Sequence, residues 1–171
     1  SHFLPLADAA KSIDNVEISI VCSCSEAREK LEAYGLKVIP LDFSRQSLAV
    51  YKLVKLITNL ARILFREKPD IIHMISLKPI IAGGFAALVQ PRAATIFHFT
   101  GGGFFSTSIE KKVRVLRGLF HKIVVLLMRR RKSWLILENP DDKDALMRYG
   151  RLPQDRISIF GGADVMPDHF Q

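Results

Sequence analysis

Three short clusters hold the side chains with chemistry to offer. Thr100-Gly101-Gly102-Gly103 follows an apolar run and precedes Ser106-Thr107-Ser108. Three consecutive glycines let backbone N–H groups approach a ligand closely, and hydroxyls ahead of a helix add anion contacts, so the loop suits a phosphate or a sugar. A glycine turn capped by serine is the plain alternative, because no P-loop lysine follows at the required spacing. His73-Met74-Ile75-Ser76-Leu77-Lys78-Pro79 sets a histidine near the end of an otherwise apolar run, with Ser76 and Lys78 beyond it. The histidine is either a hydrogen-bonded core residue or a contact to substrate. Lys78 at a helix start opposes the helix dipole, so it is either simply solvated or set beside an acidic or phosphorylated partner. In Glu138-Asn139-Pro140-Asp141-Asp142, Asn139 or Asp141 can cap a following helix while Glu138 stays available to a ligand.

Short apolar runs alternate with segments of helical period, the pattern of an α/β fold with a doubly wound, mostly parallel Rossmann-like sheet and helices on both faces. In such sheets functional groups gather after the carboxyl ends of strands, and all three clusters fall there. The pattern predicts strands at Val16 to Cys22, Leu36 to Pro40, Asp70 to Met74, Ala93 to Phe99, Trp134 to Glu138 and Ile157 to Phe160. Between them it predicts helices at Ser25 to Tyr34, stopped by Gly35, at Ser47 to Phe65, ended before Lys68-Pro69, at Pro79 to Val89, and at Asp141 to Tyr149, stopped by Gly150. The long helix should bury Leu48, Tyr51, Leu56, Leu60 and Leu64. A further helix, single or broken near Gly118, should carry the stripe Val113, Leu116, Phe120, Val124 and Leu127. Residues 1–171 read as one domain without repeats, expected to be incomplete at both ends: no strand precedes the first apolar helix around Leu4 to Ala10, and Gly161-Gly162-Ala163-Asp164 leads into Met166-Pro167-Asp168 shortly before the last residue.

Of the 171 residues, 49% are hydrophobic and 25% charged, a balance that excludes disorder and suits one domain with a real core. The segment from Ile109 to Lys132 holds nine basic residues and one acid, so it carries the whole formal net charge of +8. Its plain reading is a solvated helix whose terminal cations suit the dipole. Its functional reading is attraction to an anionic membrane, through Lys111, Lys112, Arg114, Arg117 and Lys122, at about 1 kcal/mol for each basic residue near the lipid. Nucleic acid ranks behind, since no exposed aromatics interleave with the charge. Cys22 and Cys24 make a poor disulfide framework and lack the further ligands of a zinc site, which points to a reducing compartment. No stretch is long and apolar enough to span a bilayer.

Read in order, Ser1-His2-x-Leu4-Pro5-Leu6-Ala7, Glu26-Ala27-Arg28, Lys68-Pro69-Asp70-Ile71-Ile72-His73, Ser76-Leu77-Lys78-Pro79, Thr100-Gly101-x-Gly103-Phe104, Glu138-Asn139-Pro140-Asp141-Asp142 and Gly162-Ala163-Asp164-Val165 resemble the N-terminal domain of retaining GT-B glycosyltransferases of the glycosyltransferase 4 group, of the bacterial surface polysaccharide type. The resemblance implies an acceptor-side domain, half of a GT-B fold lacking its first strand, whose C-terminal donor-binding partner domain is absent from residues 1–171. It implies hexosyl transfer from a nucleoside diphosphate sugar to a polyprenyl-linked or saccharide acceptor with retention, with no bound cofactor or metal. It also implies work at the cytoplasmic, inner face of the cell membrane, and no activity for these residues alone. Carried over by position, His2, His73, Ser76, Lys78, Thr100, Gly101, Gly102, Gly103, Glu138 and Asn139 border the acceptor cleft, and no catalytic residue is assigned. Gly102 and Phe105 depart from the family wording of the glycine loop. The alternative is a noncatalytic membrane-binding or recruiting subunit of a split glycosyltransferase. A nucleotide-dependent oxidoreductase is disfavoured, since no GxGxxG follows a predicted strand.

Overall fold

The computed structural model describes residues 13, 15–23, 28–43, 50–100 and 111–160, with the backbone alone for 111–114. The chain divides into two compact units, Ser1–Leu48 and Ala49–Gln171. In the first, β1 (Ser19–Cys22) and β2 (Lys37–Pro40) pair in parallel, joined through α1 (Arg28–Ala33). Gly35 stops α1 because it adopts φ 73, a left-handed conformation that suits a residue without Cβ. Its N–H donates to the Glu32 carbonyl at 2.8 Å and the Leu36 N–H to the Leu31 carbonyl at 3.2 Å, the two bonds of a Schellman motif. Leu31 and Leu36, brought together by that turn, form a small core with Val38. Cys22 is disulfide-bonded, which corrects the reading of the cysteines as a reduced pair.

In the second unit β3 (Ile71–Ile75), β4 (Ala94–Phe99), β5 (Ser133–Leu137) and β6 (Ile157–Ile159) form a four-stranded parallel sheet in sequence order. Successive side chains along a strand point to opposite faces. Ile72, Met74, Thr95, Phe97, Phe99, Ser133, Leu135 and Leu137 are buried on one face. Onto it pack α3 (Leu77–Ala86), extended by a 3-10 turn at Ala87–Val89, and α4 (Lys111–Leu127). The approach of α3 is close because Gly83 and Gly84 have no Cβ: one at Gly83 would lie 2.8 Å from Met74 Sδ, and one at Gly84 would collide with Leu127 and reach 3.3 Å from the Phe97 ring. Phe120 of α4 stacks on Phe99, with ring centroids 5.3 Å apart. Burying each such side chain is worth roughly 1.5–3 kcal/mol.

Two more helices complete the unit. α2 (Val50–Glu67) packs on α3 through Leu56, Leu60 and Leu64, while α5 (Pro140–Met147) packs on α4. Gly118 lies within α4, which runs unbroken, and it admits the Tyr149 hydroxyl to 3.2 Å from where a Cβ would stand. The structure corrects some details of the expected stripes: Tyr51 is 69% exposed and Leu116 is exposed on α4, while Leu48 and the Val113 side chain lie outside the described residues. The start of α3 comes two residues before Pro79, which is tolerated there because first-turn N–H groups have no helical partner.

Gly84→Val should destabilise the chain by about 1–3 kcal/mol, the usual range for overpacking a filled site. Urea denaturation followed by circular dichroism would check it, and a variant as stable as the parent would refute the close approach of α3.

Candidate functional site

The carboxyl ends of β3, β4 and β5 bring together residues from three of the expected clusters. β3 and β4 pair with Ile75 opposite His98 and His73 opposite Ile96, so both histidines lie on the sheet face opposite the helices. Their rings stack with centroids 5.5 Å apart at an interplanar angle of 14°. His73 Nε2 and His98 Nδ1 are buried atoms without a hydrogen-bond partner. Burial, then the neighbouring His98, pulls the His73 pKa down to about 4, and burial also lowers His98 against an opposing pull from Glu138. Two neutral imidazoles can therefore stack without charge repulsion at neutral pH, each offering a donor or an acceptor.

Ser76 follows β3 and precedes α3 in an unusual backbone state, φ 77 and ψ 163, a region that glycine tolerates and other residues occupy at a cost of about 1–3 kcal/mol. Its N–H donates to the His98 carbonyl at 3.0 Å, which anchors the turn to the end of β4. Its hydroxyl does not cap α3; it meets the Thr100 hydroxyl at 3.2 Å. Two hydroxyls and two imidazoles thus sit at adjacent strand ends.

Glu138, one residue past β5, brings Oε1 to 3.9 Å from His98 Nε2. That separation is too long for a hydrogen bond. It becomes an ion pair only if His98 gains a proton. Asn139 is engaged locally as the cap of α5, its side-chain oxygen accepting from the Asp141 N–H at 2.9 Å. Lys78 stands half-buried in the first turn of α3. His2 and Gly101 to Gly103 lie outside the described residues, as do the side chains of Lys111, Lys112 and Arg114. Arg117 is half-buried and Lys122 exposed on α4, apart from the strand-end group. Among the described residues no cluster of His, Cys, Asp and Glu is arranged to hold a metal ion. His98 escaped the sequence reading; its signal was a second histidine two residues before Thr100, at the end of the neighbouring predicted strand.

The run Arg129 to Lys132 is not simply a solvated helix end. Arg130 donates to the Ala87 carbonyl at 2.8 Å and the Gln90 carbonyl at 2.9 Å, and Lys132 donates to the Arg92 carbonyl at 3.3 Å. Arg156 donates to the Arg130 carbonyl at 2.6 Å.

With this geometry established, comparison with known proteins decides the family. A family profile described as glycosyl transferase 4-like matches residues 1–139. The chain belongs to the glycosyl transferase 4-like family. Among solved structures, a glycosyltransferase from Rickettsia africae ESF-5 is similar with TM-score 0.59 and 14% identity, over 90% of this chain and 37% of that one. UDP-GlcNAc 2-epimerase from Neisseria meningitidis, in a structure bound to UDP-GlcNAc, is similar with TM-score 0.56 and 18% identity, over 92% of this chain and 42% of that one. The chain therefore spans about two fifths of the length of these neighbours, and at such identity the likeness is one of fold: the parallel α/β, Rossmann-like class expected from the alternating pattern. The search of curated proteins gives no match.

Ser76→Gly should raise stability by about 1 kcal/mol by relieving the backbone while deleting the hydroxyl; a loss of stability in thermal melts would refute the strain. His73 and His121 both sit near pKa 4 in the folded chain, His121 because burial and then the Arg117 charge lower it. Between that value and the ordinary 6.5 the unfolded chain binds more protons, so stability should fall as pH is lowered from about 6.5 towards 4. His121→Phe removes one of the two groups, and its melting temperature should fall less steeply over that window.

Proposed function

We propose that the chain is the acceptor-side part of a retaining GT-B glycosyltransferase, of the bacterial surface polysaccharide type. It works with a C-terminal domain that binds a nucleoside diphosphate sugar, and the acceptor is a polyprenyl-linked or free saccharide. The observation that carries this reading is the meeting of Ser76, Thr100, His73, His98 and Glu138 at the carboxyl ends of three parallel strands. Ligands of open α/β sheets bind in that position. Neutral hydroxyls and imidazoles suit saccharide hydroxyls, each of which both donates and accepts. The family match supports sugar transfer, and the UDP-GlcNAc held by the meningococcal neighbour supports a nucleotide-linked donor.

In this reading His98 and Ser76 orient an acceptor hydroxyl towards the donor carbon, with Glu138 beside them at the end of β5. Lys78, in the first turn of α3, borders the same strand ends. No bound cofactor or metal takes part; hexosyl transfer proceeds from the donor with retention of configuration. The enzyme sits peripherally on the inner, cytoplasmic face of the cell membrane. The basic helix α4, through Lys111, Lys112, Arg114, Arg117 and Lys122, faces its anionic lipids.

The test is transfer of labelled sugar from a panel of nucleoside diphosphate sugars to polyprenyl-diphosphate-linked and free saccharides by the full-length protein, with the anomeric configuration of the product read by NMR. Residues 1–171 alone should be inactive. His98→Ala should lower kcat/KM by about tenfold or more, the effect of losing one hydrogen bond to a bound hydroxyl. No transfer from any donor would overturn the reading, and inverted product would overturn its retaining part.

A further inference from the structure

The end of the sheet remote from the strand-end group carries a feature that the transfer reading does not use. A hollow of about 480 Å³ is lined by Leu88, Pro91, Arg92, Arg130, Arg131 and Lys132. Arg92 precedes β4, and Arg130 to Lys132 precede β5, so the hollow lies at the amino ends of these strands. Strands of five and six residues rise about 3.3 Å per residue. The hollow is thus on the order of 15–20 Å from His98 and Thr100.

No acid lines it, and among the described residues Arg92, Arg131 and Lys132 form no salt bridge. All three are exposed. Their backbone is held in place: Arg130 pins the Ala87 and Gln90 carbonyls, Lys132 reaches the Arg92 carbonyl, and Gln90 Nε2 donates to the Leu64 carbonyl at the end of α2 at 3.0 Å. Beside the cations two aliphatic side chains stand in water, Leu88 at 58% and Val89 at 43% exposure.

We propose that this hollow docks the chain on a membrane surface, with Arg92, Arg131 and Lys132 on the phosphates of anionic phospholipid headgroups and Leu88 and Val89 in the outer acyl region. Cations beside exposed aliphatics match the two layers of a lipid interface. A free phosphate would leave Leu88 and Val89 in water, and a nucleic acid strand would find no aromatic ring lining the hollow on which to stack. The proposal deepens the membrane part of the reading above and rests on it there; sugar transfer to a detached, water-soluble saccharide needs no membrane, so either can fail while the other stands.

The test is co-sedimentation of the chain with vesicles of phosphatidylglycerol and phosphatidylcholine, against vesicles of phosphatidylcholine alone. Binding should require phosphatidylglycerol and weaken with salt. Arg92→Gln/Arg131→Gln/Lys132→Gln should lower the partition coefficient on the order of 100-fold, about fivefold for each charge. A charge-matched Lys30→Gln/Lys52→Gln/Lys55→Gln chain should retain most of the binding. Leu88→Ser, which leaves every charge in place, should weaken binding severalfold. Absence of binding to the anionic vesicles, equal loss in the two triple variants, or displacement by inorganic phosphate beyond that by chloride of the same ionic strength would each overturn the proposal.

Discussion

The close seating of α3 on β3 and β4 is the constraint on which the rest of the second unit depends. Gly83 and Gly84 let the helix come near enough for Met74, Phe97 and Leu127 to fill the gap, and that contact commits one face of each strand to the core. Because strand side chains alternate, the same commitment sends His73, His98 and Ile136 to the other face. Burial of Phe97 and placement of His98 are therefore a single event, and a register slip by one residue would undo both.

Positive charge is divided between two tasks. A count of cations suggests an electrostatic surface, yet Arg130 and Arg156 spend their guanidinium groups on backbone carbonyls at the amino ends of the strands. Such charge-assisted bonds fix the joints between α4, β5 and the 3-10 turn at Ala87–Val89. Cations that are left exposed, Arg92, Arg131 and Lys132, are then held on a firm backbone rather than on a loose loop. At the other end of the strands the two stacked histidines are neutral at pH 7, because burial has lowered them, and Glu138 stands beside one of them. The molecule thus keeps a cluster of exposed cations and the stacked imidazoles at opposite ends of one sheet.

Much of the local structure was legible in the sequence because it depends on neighbours in the chain. Gly35 ends α1 by a left-handed turn, Lys68-Pro69 ends α2, and Asn139 caps α5 before Pro140; each is set within a few residues. The apolar runs gave the parallel α/β class for the same reason, since a buried strand must be apolar on both faces. Tyr51 was misread because an aromatic at helical spacing looks like core until the neighbouring helix defines which side is covered.

What sequence alone determined was the order and type of the elements and the strand ends at which polar residues gather, because propensity, capping and hydrophobic period act over short range. Tertiary structure alone decided which of those residues meet. Ser76 reaches Thr100 across 24 positions, and Arg130 reaches Ala87 across 43. The stack of His73 on His98 exists only in the register of β3 against β4. Such contacts depend on how the strands align and how near the helices sit, and both are set by the packing of side chains drawn from the whole unit.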